Sequence, residues 1–153
     1  MKYPTIQKLQ SILFYLTISL IPIQLIGSFI NTVDSIDKGY GHSYSVMTYV
    51  LIAVWLLIVI ADDVFIITNR QFICLKALSA YWGISIILLL VVLVCIPSDN
   101  IYIAMLVLIT PYAMLYPLLE MFLLENTIAI FSVVILFCGI NFCICKLLSD
   151  KRE

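Results

Sequence analysis

The chain has 153 residues, of which 64% are apolar and 11% charged, and its formal net charge is −1. Soluble domains are nearer half apolar and a quarter charged, and a domain this small leaves too much surface in water to hide the excess. A soluble globular enzyme and a disordered tail are therefore excluded, and the near-neutral charge supplies no field for nucleic acid. What remains is an all-α integral membrane protein. The apolar runs are continuous and lack the alternation that barrel strands need.

A helix needs about 20 apolar residues to cross a ~30 Å hydrocarbon core. Five stretches reach that length. The first, about Leu9–Ile30, follows Lys2 and Lys8. It is too long for the apolar core of a signal peptide, and no small-x-small cleavage site follows, so it is expected to be a retained span. Asn31–Ser45, with Asp34, Asp37, Lys38, Gly39 and Gly41, reads as a polar loop. The second span is about Val46–Thr68, closed by Asn69, Arg70 and Gln71. The third is about Ala77–Ile96, ended by the turn sequence Pro97-Ser98-Asp99-Asn100. The fourth is about Ile101–Leu124. After the short connector Glu125-Asn126-Thr127, with Asn126 or Thr127 as the helix N-cap, the fifth runs over about Thr127–Leu148. No polar stretch is long enough for a soluble domain, so residues 1–153 read as one transmembrane unit.

Length and hydropathy thus give five crossings, but the charges argue differently. With a cytoplasmic N-terminus and five crossings, Lys2, Lys8, Arg70 and Lys76 lie inside, and Lys38, Lys146, Lys151 and Arg152 outside. That is four against four, with none of the cytoplasmic excess that membrane proteins show. If the fourth segment instead enters and returns on one side, the tally becomes seven inside and one outside. Pro111 and Pro117 supply such a break, since proline removes a helix hydrogen bond and clashes with the preceding turn. The expected fold is a bundle of four to five transmembrane helices whose fourth segment is proline-kinked or re-entrant.

Asp62 and Asp63 are the sharpest candidates for chemistry, because they sit between apolar residues on both sides. A carboxylate inside a bilayer costs at least ~2.5 kcal/mol, which makes it a functional suspect. A cation or proton site is one reading. A helix end at Ala61, with Val64–Thr68 along the interface, is the other. Gln24, beyond Pro22, and Asn141, deep in the last span, are expected to hydrogen-bond between helices. Glu120 belongs to an interface or, if the fourth segment folds back, to a cavity wall. Tyr112 and Tyr116 share a helix face. Ser79 and Gly83 form a small-x-x-x-small pair that permits close helix approach.

The five cysteines, Cys74, Cys95, Cys138, Cys143 and Cys145, form no Cys-x-x-Cys. Small apolar packing is their expected role, and no metal or other cofactor is expected. His42, the one histidine, lies in a Gly-containing loop near Asp34 and Asp37. There is no phosphate loop, nucleophile elbow or zinc-helix motif.

The paucity of polar groups points to a non-catalytic multi-pass protein: an accessory, scaffold or immunity-type partner of another membrane protein. An oligomeric transporter or channel component using Asp62 and Asp63 is the alternative. An interfacial membrane enzyme, using His42 with Asp34 and Asp37 or the Asp62–Asp63 pair with a metal, is a further one. The expected partners are the lipid bilayer and either a second copy of the chain or another membrane protein, with no nucleic acid. The Ile-rich usage is compatible with a low-GC bacterium. The expected location is accordingly the bacterial cytoplasmic membrane, with the N-terminus in the cytoplasm.

Overall fold

The structure, a computed structural model, describes residues 3–38, 44–69, 72–95, 106–123 and 126–150. These are almost entirely helical, and no strand occurs among them. The helices are α1 (Tyr3–Lys38), α2 (Val46–Asn69), α3 (Phe72–Cys95), α4 (Pro111–Leu123) and α5 (Thr127–Asp150). Four stretches are long and apolar enough to cross a bilayer: Thr17–Asp34 in α1, Val46–Val64 in α2, Cys74–Cys95 in α3 and Thr127–Ser149 in α5. The loop at His42, the turn Pro97–Asn100 and Arg70 lie outside the described residues.

The first and third helices depart from the bounds read in the sequence, α1 already starting at Tyr3, while the second keeps its span and overturns only the alternative of a helix end at Ala61. α1 does not end near Ile30 but continues through Asn31 and Asp34 to Lys38. Asp34 there is held by the start of α2: its Oδ2 accepts from Ser45 N and Thr48 Oγ1, both at 3.1 Å. Ser45 in turn caps α2 by accepting from Thr48 N through its Oγ at 3.3 Å. α2 passes through Asp62 and Asp63 without interruption to Asn69. The aspartate pair therefore does not mark a helix end. α3 starts at Phe72 rather than near Ala77.

The path of the chain fixes the ends of the bundle. Two residues separate α2 from α3, so α2 ends and α3 begins at one end. The Asp34–Ser45–Thr48 contacts place the end of α1 and the start of α2 at the other. α5 runs antiparallel to α3. Gly83 faces Phe142, Trp82 packs edge-on against Phe137 at 5.7 Å, and Cys145 lies within electrostatic range of Asp62 and Asp63. The starts of α1 and α3 and the ends of α2 and α5 therefore share one end, here the basic end.

The described part of the fourth segment is not a helix long enough to cross. Residues 106–109 are helical, the backbone bends at Thr110, and α4 starts at Pro111. A residue before proline is pushed out of the helical region, and proline at a first helical position carries no penalty, which together put the break here. Ile109 sits beside Gln24, Ala113 and Met114 beside Asn31, and Glu120 beside Tyr44. From Ile109 onward the segment thus climbs alongside α1 toward the end where α3 finished and α5 begins. Gln24 lies ten residues below Asp34, about 15 Å at 1.5 Å per residue, so the break reaches roughly half the depth of a bilayer core. The described part of the fourth segment thus covers only about half that depth, and four helices are long and apolar enough to cross.

The core is a column of inward stripes. On α2 these are Ile52, Trp55 and Val59; α3 adds Leu75, Leu78, Trp82 and Leu89, and α5 adds Ile130, Val134 and Cys138. Trp55 and Trp82 are buried and meet edge-to-face at 6.3 Å. Phe29, Leu57, Ile87, Leu136 and Ile140 point outward, as lipid-facing residues must. With an even number of crossings, tags on the N- and C-termini should become accessible together and from the same side. Opposite accessibility would restore a fifth crossing.

Candidate functional site

The polar side chains of the interior fall at three depths. At the middle, α1 binds the broken segment. Pro111 leaves Val107 O without its helical donor, and Thr110 takes it, through N at 3.1 Å and Oγ1 at 2.8 Å. Ile109 O, at the bend, accepts from Gln24 Nε2 at 2.7 Å. Pro117 likewise deprives Ala113 O of a donor. Asn31 Nδ2 replaces it, at 3.2 Å to Ala113 O and 3.1 Å to Met114 O. Gln24 and Asn31 are seven residues apart, two turns along one face of α1, and each is 1% exposed. Gly27 lies between them. A Cβ there would meet Met114 Sδ and come within 2.7 Å of its Cε, so the end of the Met114 side chain lies over the glycine.

At the end opposite the basic one, Glu120 is buried at 9% exposure. Its Oε2 accepts from the Tyr44 hydroxyl at 2.7 Å, and its Oε1 takes a long contact from Tyr116 at 3.4 Å. Tyr112 and Tyr116 share a face, with ring centroids 5.5 Å apart, and Tyr112 stacks on Phe131 of α5 at 4.1 Å. Glu120 therefore ties α4 to the start of α2. Asn126 caps α5 by accepting from Ala129 N at 3.1 Å.

At the basic end, Asp62 continues the inward stripe of α2 and is 1% exposed, while Asp63, about 100° around the helix, is half-buried. Thr17 of α1 borders both the Asp62 carboxylate and the Cys74 thiol of α3. Cys145 of α5 is within electrostatic range of both aspartates. Despite the nearness of Thr17, neither Asp62 oxygen closes a hydrogen bond. Between these depths lies an aromatic layer in which Trp82 also packs on Tyr81 at 4.7 Å. The indole nitrogens of Trp55 and Trp82 and the Tyr81 hydroxyl are buried there without a hydrogen-bond partner.

The candidates read from the sequence therefore separate. Gln24 joins helices as expected, and Pro111 and Pro117 create the carbonyls that need joining. Asn141 does not join helices: its Nδ2 donates to Phe137 O at 2.8 Å, one turn back on its own helix. Asp62 and Asp63 stand at the far end from Glu120. The fourth member of the stapling, Asn31, lies in the stretch whose sequence reads as a polar loop. The spacing of Gln24, Ser28 and Asn31 on one helix face is the signal that could have found it.

No family matches the chain, and neither the curated proteins nor the solved structures contain a match. Among the described residues, no three His, Cys, Asp or Glu side chains converge as a metal site. The Cys143-Ile144-Cys145 pair diverges, Cys143 outward and Cys145 inward.

The stapling makes a coupled prediction. Asn31→Ala should destabilise the bundle by about 0.5–2 kcal/mol in detergent melts, as Ala113 O loses its donor. In a Pro117→Ala background the restored backbone N–H can serve Ala113 O, and the cost of Asn31→Ala should fall. Equal costs in both backgrounds would dissociate Asn31 from the proline break.

Proposed function

We propose that this protein acts without catalysis, as an accessory, scaffold or immunity-type partner of another membrane protein. One observation supports the reading. The polar side chains that hydrogen-bond in the interior are spread over separate points that hold the bundle together: Gln24 and Asn31 on the broken fourth segment, Asp34 and Glu120 at the start of α2, Asn141 on its own helix. Chemistry would need several such groups converging on one point. The outward faces are continuous apolar surface, suited to lateral packing within the membrane.

A second reading has its own support. A broken helix that stops at half depth is a common element of solute pathways, so an oligomeric transport or channel component remains the alternative.

The orientation belongs to the same proposal. Lys2, Lys8, Arg70, Lys76, Lys146, Lys151 and Arg152 belong to the basic end of the chain's path and Lys38 to the other. A seven-to-one excess supports an orientation with the basic end, and both termini, in the cytoplasm. The Ile-rich residue usage supports a bacterial cytoplasmic membrane.

The partner reading is tested by photocrosslinkers placed at lipid-facing Leu57 and Leu136, with buried Val59 and Val134 as controls. A discrete adduct to one other membrane protein, from an outward position only, is expected. Adducts confined to a second copy of the chain would favour the oligomeric reading instead.

A further inference from the structure

Among the described residues, Asp62 is the acidic side chain of the interior that lacks a hydrogen-bond partner. Asp34 and Glu120 accept hydrogen bonds from defined donors. Asp62 is as deeply buried as the tryptophans, and both of its oxygens are left without one. It lies seven residues before the end of α2, about 10 Å into the helix. Four helices meet around it. α1 brings the Thr17 hydroxyl, α3 the Cys74 thiol and α5 the Cys145 thiol, while α2 itself adds a second carboxyl, Asp63. The basic side chains described at this end, Lys76 and Lys146, are exposed on α3 and α5.

We propose that this junction is a proton-binding site, in which Asp62 sits as a neutral carboxylic acid with the proton as its ligand. A carboxylate in an apolar interior needs a paired cation or several donors. The groups that line this one are a hydroxyl, two thiols and a second carboxyl, and they supply neither. A bound proton removes the charge. It also turns one oxygen into a donor, which the Thr17 hydroxyl at its side can accept, since a hydroxyl oxygen has two lone pairs. The oxygen left over is a neutral carbonyl, far less costly to bury than a charge. Asp63 favours the same state, because two carboxylates this close oppose being ionised together. Asp62 stands near the basic end and its neighbour Asp63 is half-buried, so the proton exchanges with that side. Loss of the proton leaves an unanswered charge where four helices join, which couples proton occupancy to the packing of that end. A site of this kind goes beyond the partner reading and requires no passage of protons across the membrane.

The purified full-length protein is melted in detergent between about pH 5 and about pH 8, above the ordinary titration of an exposed aspartate, with tryptophan fluorescence as readout. The folded state then holds one proton that the unfolded chain has released, so stability must fall as pH rises. The wild-type melting temperature should drop about 3–5 °C per pH unit more steeply than that of Asp62→Asn, whose side chain is neutral and of the same shape. Parallel profiles overturn the site. So does a wild type that gains on the variant as pH rises, since the ionised form is then the favoured one. Where Asp62→Asn does not fold, infrared spectroscopy of the wild type with isotopically labelled aspartate carboxyls decides. The carbonyl stretch of a neutral, labelled carboxyl is expected at about pH 6 and should give way to carboxylate bands as the pH is raised. Absence of that neutral band overturns the site, and where the variant folds, so does a band that persists unchanged in it. Neither result bears on a protein partner, and absence of a partner says nothing against the proton site, so the two proposals fail separately.

Discussion

A backbone carbonyl inside a membrane must find a donor within the protein, because lipid offers none. The arrangement of this bundle follows from that constraint acting on one broken helix. Pro111 and Pro117 remove two donors from the fourth segment, and the bend at Thr110 exposes a further carbonyl at Ile109. Thr110 meets one need locally, and α1 meets the others with two amides on a single face. Gly27 sits between those amides, with the end of the Met114 side chain over it. α1 thereby becomes the backing of the broken segment as well as a crossing helix.

Around this pair the rest of the bundle is held by shape. α3 and α5 approach closely where Gly83 faces Phe142, and the rings of Trp55, Trp82 and Phe137 interlock at mid-depth. α4 leans on α5 through Tyr112 and Phe131. Helices in lipid gain nothing from excluding water from one another, so close packing and a few hydrogen bonds must supply the association. The polar contacts are concentrated accordingly where packing alone would leave a backbone group or a helix start unanswered. Asp34 serves the start of α2, and Glu120 binds the tyrosine just ahead of it.

Much of this was legible along the chain. Continuous apolar blocks could only be membrane helices, and the prolines marked the fourth block as the one to break. The basic residues already favoured a return to the same side, although block length taken alone gave an extra crossing. Hydropathy counts residues along the sequence and is blind to direction, so a segment broken partway scores as one that passes through. Asn31 and Asp34 looked like loop for a related reason. Their polarity is answered by groups 82 and 11 residues away, and no local pattern carries that information. Asn141 erred in the other direction, since an amide in a helix can as readily bond the preceding turn as a neighbour.

The amino-acid sequence by itself determined that this is a helical membrane protein, where its apolar blocks lie and which block could not be a regular helix. These follow from composition and from proline's missing N–H, both local properties. Only the tertiary structure decided that the fourth segment bends at Thr110 and lies along α1, that Gln24 and Asn31 hold it, and that Asp62 faces the interior instead of closing a helix. Those depend on which side chain meets which carbonyl across the bundle, and that is settled by the simultaneous packing of all the helices.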